Sequence, residues 1–309
     1  MSEANAQAPR RVTHDAIQPF MVDGSQVRGR AVRLNESIDK ILGQYDYPPA
    51  VARCLGELLM LAALLSSNLK HEGIITLQAK GDGPVPLMVV DATFEGALRG
   101  YAQFDKDVTL PEKPTLPEML GKGYLAITLD QGDASNRYQG IVELQGDTVA
   151  DAISSYFAQS QQIDVALHLA VGQSQEGGDD PHWIGGGIMV ERLPANAEGD
   201  VVDDISDNDW QHATVLLETV QAHELLDSSL ALSELLYRLY HEDGVWVFEP
   251  HDLRQQCRCS RERIESVLMT MPKEDIDHMQ VDGVIAVNCQ FCNTSYEFDE
   301  ETVERLFKN

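Results

Sequence analysis

Apolar residues recur at helical spacing across residues 37–70, and residues 51–65 are apolar enough for burial on more than one helix face. The period then shortens. Residues 73–79 are strand-like through Ile74, Ile75, Thr76 and Leu77, the turn Gly81-Asp82-Gly83-Pro84 follows, and residues 85–90 and 98–104 continue the pattern. This spacing predicts an antiparallel meander. After a proline-rich loop at 111–117, a strand at 124–129 is expected to meet one at 141–144 across a loop carrying Gly132, Asp133 and Asn136. Asp147 reads as the N-cap of a helix with Val149, Ile153, Tyr156 and Phe157 on one face. A strand at 165–171, an acidic glycine-rich loop at 172–186 and a last strand at 187–193 follow. Strands and helices mix without regular βαβ alternation, so the predicted class is α+β. Gly185-Gly186-Gly187 and Gly81-Asp82-Gly83 read as turn glycines, because no lysine-bearing phosphate loop or dinucleotide fingerprint surrounds them.

Residues 194–209 are polar, acidic and short of core residues, which marks a boundary. Helical patterns at 209–226 and 229–241 come next. The first carries Trp210, Leu216, Leu217 and Val220, the second Leu232, Leu235, Leu236, Leu239 and Tyr240. Such stripes are what an ordinary helical hairpin buries against a neighbour. A competing reading is a segment that holds its shape only while both flanking domains support it. From about Val247 a small module begins: Ser260 can cap a helix with Ile264, Val267, Leu268 and Met271 on one face, ended by Pro272. Residues 284–287 and 296–298 read as strands, and Asp299 caps a final helix carrying Val303, Leu306 and Phe307. The expected organisation is an N-terminal α+β domain (1–194), an acidic helical linker (195–247) and a small C-terminal module (248–309).

Charge sharpens this division. The 309-residue chain carries a formal −27, distributed as −10, −11 and −6 over those three parts, and the linker holds 12 acidic side chains against one arginine. Self-repulsion on that scale supports the conditionally stable reading of the linker. With no basic segment, affinity for nucleic acid and for anionic membranes is disfavoured. Residues 1–11 read as a polar, disordered tail lacking the apolar centre of a signal peptide, and the longest apolar run, 58–65, is too short to span a bilayer. A cytoplasmic location is expected, where thiols stay reduced.

The chemistry lies in the cysteines. Cys257-Arg258-Cys259 and Cys289-Gln290-Phe291-Cys292 form two close pairs 29 residues apart. Four thiolates in two pairs suit one tetrahedral zinc ion, and a filled set leaves no position for water. That points to a structural staple or a redox switch, between which spacing does not choose, and away from hydrolysis. In an extended chain residues i and i+2 face the same side, so the first pair can serve one metal. Arg258, Arg261 and Arg263 either favour thiolates there or sit on an exposed helix face pairing with Glu262 and Glu265. Solvated surface positions are expected for His251 and His278, and Cys54 reads as an inert core thiol. No deaminase, zincin or thioredoxin-like frame surrounds the cysteines, so no enzyme is predicted.

Cys257-Arg258-Cys259-Ser260-Arg261-Glu262-Arg263 with the later knuckle resembles the zinc-binding end of the heat shock protein 33 family of redox-regulated bacterial chaperones. The likeness extends through Gly73-Ile74-Ile75-Thr76-Leu77-Gln78, Gly81-Asp82-Gly83-Pro84, Gly123-Tyr124-Leu125, Arg137-Tyr138-Gln139-Gly140, Tyr156-Phe157 and Tyr237-Arg238-Leu239-Tyr240-His241-Glu242. The N-terminal tail and residues 175–180 match nothing in it. The resemblance implies an ATP-independent holdase for unfolding client proteins, inactive while reduced with one zinc ion on Cys257, Cys259, Cys289 and Cys292. On oxidation zinc leaves, disulfides form within each pair (Cys257 with Cys259, Cys289 with Cys292), and the linker loses structure. Trp210, Leu216, Leu217, Leu235 and Leu236 would then meet clients, and the oxidised protein would form homodimers. The alternative is a static zinc module recognising a protein or nucleic-acid partner.

Overall fold

A computed structural model describes residues 14–69, 72–132, 137–174, 181–193 and 203–307. The tail at 1–11, Asp133, Asn136 and the acidic stretch at 175–180 lie outside them. The chain divides into two compact units, Met1–Gln255 and Gln256–Asn309.

Among the described residues the first unit is built on two six-stranded sheets. The expected meander is present as β3 (Ile74–Gly81), β4 (Leu87–Thr93) and β5 (Ala97–Gln103), with β6 (Gly123–Asp130) and β7 (Arg137–Glu143) extending it antiparallel beyond β3. β4 starts later than the pattern suggested. Pro86 has no N–H for a ladder, and the Val85 N–H is instead taken by the Met119 carbonyl at 2.9 Å.

The other sheet contains two strands that the hydrophobic pattern missed. β1 (Ala16–Val22) and β2 (Val27–Leu34) pair antiparallel, and β2 continues to β9 (His182–Arg192) and β8 (Val165–Ser174). The arginines of β2 hide its strand character. Arg30 is buried and meets Glu191 at 2.7 Å, while half-exposed Arg28 meets the same carboxylate at 2.6 Å. Arg33 is fully buried, and burial lowers its pKa to about 10. Its guanidinium donates to the backbone carbonyls of Leu230, Leu225 and Glu224, the last two at 3.2 and 3.4 Å.

β9 also corrects the glycine reading. The expected loop at 172–186 is largely sheet, since β8 runs to Ser174 and β9 starts at His182. Gly185, Gly186 and Gly187 lie inside β9, opposite Leu34, Arg33 and Val32. They are glycines because other elements come too close for a side chain: a Cβ on Gly186 would overlap the Leu225 carbonyl, and one on Gly185 would approach Ile38 and Met60 to 2.9 Å.

The predicted helix at 37–70 is broken into α1 (Glu36–Leu42), which ends at its Gly43 C-cap, and α2 (Pro49–Ser66), which starts on Pro49, a residue suited to the first helical position. α2 packs against strands of both sheets, β2, β8 and β9 on one side and β3, β4 and β5 on another. It is long and apolar enough to cross a membrane, yet 83% of it is buried within the fold, which makes it the core helix. Cys54 is buried on it. A short α3 (Leu116–Leu120) precedes α4 (Val149–Tyr156). Thr148 caps α4, not Asp147: its hydroxyl accepts from the Asp151 N–H at 3.1 Å, and Asp151 accepts from the Thr148 N–H at 3.0 Å. Phe157 lies beyond α4 in a π-helical turn, Phe157–Gln161.

One turn along α2 from Cys54, Glu57 lines a cleft with Arg53, Lys113 and Asp147. Burial raises its pKa from 4.5 to about 7, against the opposing pull of Arg53. The fold therefore favours the protonated acid. Its stabilising contribution is complete below pH 4.5 and is lost as pH rises through about 7. Glu57→Gln should leave stability unchanged near pH 4.5 and raise it at pH 8 by up to about 3 kcal/mol, read from urea unfolding at the two pH values.

After 202 come α5 (Asp203–Glu218), α6 (Ala222–Leu225) and α7 (Leu232–Tyr240), where two longer helices were expected. They rest on the β1–β2–β9–β8 side and close a second apolar core with Phe20, Val22, Val27, Ile188 and Val190. Three short strands complete the unit: β10 (Val245–Val247) and β11 (His251–Asp252) pair with β1, and β12 (Arg254–Gln255) pairs parallel with β5.

The second unit holds α8 (Arg261–Leu268), α9 (Lys273–Met279), the hairpin β13 (Val284–Asn288) and β14 (Ser295–Asp299), and α10 (Glu300–Phe307). Ser260 caps α8 through the Arg263 N–H at 3.3 Å, and Asp299 caps α10 through the Thr302 N–H at 3.0 Å, both as the sequence predicts. Val267 does not share the buried face; it is 61% exposed. Pro272 ends α8 and also begins α9, which the pattern did not reveal. The core here is small: Leu268, Ile276, Ile285, Phe298 and Val303.

Candidate metal centre

The site is assembled from two turns. Cys257 and Cys259 lie between β12 and α8, on a chain whose direction is set by the Ser260 cap. Cys289 and Cys292 occupy the turn of the β13–β14 hairpin. That turn closes with the Cys289 N–H on the Thr294 carbonyl at 2.9 Å and the Asn293 N–H on the Cys289 carbonyl at 2.7 Å. Asn293 takes a left-handed conformation, φ 53°, which asparagine tolerates better than most residues.

The four sulfurs lie within 4.8 Å of one another. Cys257 Sγ is 3.7 Å from Cys289 Sγ, and Cys259 Sγ is 3.3 Å from Cys292 Sγ. Sulfurs about 2.3 Å from a shared zinc ion stand about 3.8 Å apart at tetrahedral corners, within the observed range. Four thiols, with no histidine or carboxylate in the cluster among the described residues, are a donor set for a soft or borderline cation.

Two side chains that sequence reasoning passed over touch these sulfurs. Tyr296 Oη is 3.2 Å from Cys259 Sγ, and Thr294 Oγ1 is 3.2 Å from Cys292 Sγ. Thr294 was findable, since it stands two residues past the knuckle. Tyr296 is brought in by the hairpin register opposite Val287. These contacts divide the thiols. Burial pushes Cys259 up to about 12, with its hydrogen bond to Tyr296 opposing and those to the other cysteines adding. Burial also raises Cys292, but the Thr294 hydroxyl and backbone and the neighbouring thiols outweigh it and bring that thiol down to about 7. A cation entering the cluster displaces the protons that its thiols still carry.

Of the arginines, Arg261 pairs with Glu265 at 3.3 Å and stacks over Phe298 at 4.4 Å, and Arg263 donates to the Arg258 carbonyl at 2.8 Å. For Arg261 this is the helix-face arrangement.

The residues expected to meet clients lie together in the second apolar core of the first unit. Leu217, Leu235 and Leu236 are buried, and Trp210 and Leu216 are partly buried against them. Arg33, which holds the backbone of this helical segment, gave no sequence signal.

The Hsp33 protein family model matches residues 15–299. A 33 kDa chaperonin of Caulobacter vibrioides is 40% identical over 295 residues, covering 93% of this chain and 96% of its own. Another 33 kDa chaperonin, from Pectobacterium atrosepticum, is 39% identical over 296 residues, covering 96% of each chain. The crystal structure of the 33 kDa chaperonin of Thermotoga maritima, a heat shock protein 33 homolog, superposes with a TM-score of 0.80 at 25% identity, covering 96% of this chain and 98% of that one. A match across nearly the whole chain, the shared α+β fold and the four-sulfur cluster lead to one assignment: the chain belongs to the Hsp33 family of chaperones.

Proposed function

We propose that the protein is an ATP-independent holdase switched by the redox state of Cys257, Cys259, Cys289 and Cys292. The observation that carries this reading is a four-sulfur cluster, in a chaperone-family chain, within a unit that has very little core of its own. In the reduced state the cysteines bind one zinc ion. Peroxide takes two electrons from each pair, forming the Cys257–Cys259 and Cys289–Cys292 disulfides while each peroxide is reduced to two waters. A disulfide sulfur is no longer a thiolate ligand, so the metal leaves and its contribution to folding leaves with it. Residues 195–247 act as the linker between the N-terminal domain, 1–194, and the switch, 248–309. Their acidity makes them dependent on that support, and their loosening presents Trp210, Leu216, Leu217, Leu235 and Leu236 to unfolding proteins. We place the protein in the cytoplasm, where the reduced state is the resting one, and expect homodimers of the oxidised form.

The test follows aggregation of a heat-denatured protein and bound zinc in one sample, before and after peroxide at elevated temperature. Zinc release and protection should rise together without ATP. Zinc release without protection overturns the switch and leaves a static module for a protein or nucleic-acid partner. Cys257→Ser or Cys289→Ser should weaken metal binding at least tenfold and uncouple protection from oxidation; unchanged affinity and redox response would remove these cysteines from the site.

A further inference from the structure

Both sheets of the first unit end, on one side, in strands from the same short segment. In one sheet β10 lies outside β1, with β11 also paired to β1; in the other β12 lies outside β5. Residues 245–255 are therefore a strap on one edge of each sheet, along β1 at residues 16, 17 and 20–22 and at the start of β5 at Ala97 and Leu98, and Cys257 follows it two residues on. The strap is held mainly by its backbone. Phe248 N–H donates to the Pro19 carbonyl at 3.0 Å, Leu253 N–H to Asp15 at 2.9 Å and Arg254 N–H to Gly96 at 2.9 Å. The buried Gln18 amide donates to the Phe248 carbonyl. Its larger apolar side chains contribute little burial: Trp246 is 62% exposed and Phe248 51%, whereas Leu253 is 6% exposed. Its ion pairs, His14 with Asp252 and Arg254 with Glu95, are exposed and add little.

The edges beneath are more substantial. β1 carries buried Ala16, Ile17, Phe20 and Val22, and β5 carries buried Ala97, Leu98 and Ala102. Without the strap each becomes an edge strand with unpaired N–H and C=O groups, a template for another extended chain. Gly96 shows how closely the strap is applied: at φ +80°, a Cβ there would overlap the Asp252 carbonyl.

We propose that the strap is a built-in stand-in for client, and that its displacement opens the β1 and β5 edges to an extended, largely apolar segment of an unfolding polypeptide, bound by backbone strand addition. This rests on the holdase reading above and names the surface it uses. The strap itself shows the chemistry of the occupant, a chain held by main-chain hydrogen bonds. Such bonds make no demand on sequence, which suits a binder of unrelated proteins. A second copy carries the same −27 charge and is the poorer occupant.

The probe is a seven-residue peptide of alternating valine and threonine with lysine ends, compared with the same peptide methylated on alternate backbone nitrogens. In peroxide-treated full-length protein, amides of 245–255, 16–22 and 97–98 should lose hydrogen-exchange protection. The unmethylated peptide should restore protection to 16–22 and 97–98 and bind at least tenfold more tightly than the methylated one. Gly96→Val, reduced and metal-loaded, should bind the peptide without oxidant. If the oxidised protein suppresses aggregation while the strap stays protected, or if both peptides bind equally, the strand-addition proposal falls and the holdase reading stands. If Gly96→Val binds the peptide but oxidation yields no suppression, the edges stand and the switch falls. Edges protected without peptide in a concentration-dependent dimer would make the second copy the occupant and overturn the proposal.

Discussion

If the four-cysteine cluster holds zinc as proposed, its chelation from the reduced protein is expected to unfold residues 256–309 and loosen residues 203–255, and to leave residues 14–193 folded. The two units differ sharply in what holds them. Around α2 the first unit buries Leu55, Leu58, Leu59, Leu61 and Leu64 together with Ile75, Leu77, Met88 and Val90 from the facing sheet. The second has a buried core of Leu268, Ile276, Ile285, Phe298 and Val303. Structural zinc contributes about 10 to 16 kcal/mol in zinc-finger peptides, more than that small cluster supplies against the entropy of ordering its chain. NMR methyl signals of Ile285 and Val303 should collapse to random-coil positions on chelation, while those of Leu77 and Val90 keep their dispersion. Cys259→Ser should reproduce the effect, since Cys259 lies against both Cys292 and Tyr296. Retained dispersion at Ile285 and Val303 in the chelated protein would show that the metal is not what folds this unit.

Arg33→Met is expected to destabilise the first unit by about 3 kcal/mol or more and to loosen α6 and α7. Among the described residues Arg33 has no carboxylate within bonding distance; its terminal nitrogens donate to main-chain carbonyls at the end of α6 and at Leu230 ahead of α7, while Asp227 supplies a more distant negative charge. Methionine fills similar space but leaves the Leu230 and Leu225 carbonyls buried without a donor, at about 1 to 3 kcal/mol each. Arg33→Lys retains a charge but lacks the fork that spans several acceptors, and should fall between the two. Urea unfolding gives the energy, and Trp210 emission, with Trp183 and Trp246 replaced by phenylalanine in both proteins compared, reports the helices separately. Wild-type stability in the methionine variant would mean that apolar packing substitutes for the guanidinium, as it does for some buried charges.

How far the sequence disclosed these features depended on whether one residue type could carry the signal. The cysteine pairs announced the cluster, the meander from β3 to β5 followed its alternation, and Ser260 and Asp299 capped the helices they were expected to cap. By contrast, β1 and β2 passed unread because buried arginines interrupt the apolar pattern of β2. Arg30 is neutralised by Glu191 from β9, a partner 161 residues away that no local window contains. The glycines of β9 read as a turn in the sequence because glycine alone does not say whether the backbone bends or whether something else lies close against it. Tyr296 reached Cys259 only through hairpin register. The strap was invisible for a similar reason: strands of two or three residues have no period, and they exist because β1 and β5 offer them edges.

Gly186 and Arg33 are neighbours across the β2–β9 ladder, and the Leu225 carbonyl sits over both. The helical segment thus touches the sheet there through main chain on a bare glycine floor, while around that spot Phe20, Ile188 and Tyr240 interlock as side chains. The spot behaves like a gasket set among dovetails. A single methyl group added to the floor at Gly186 would keep the joint from closing flush.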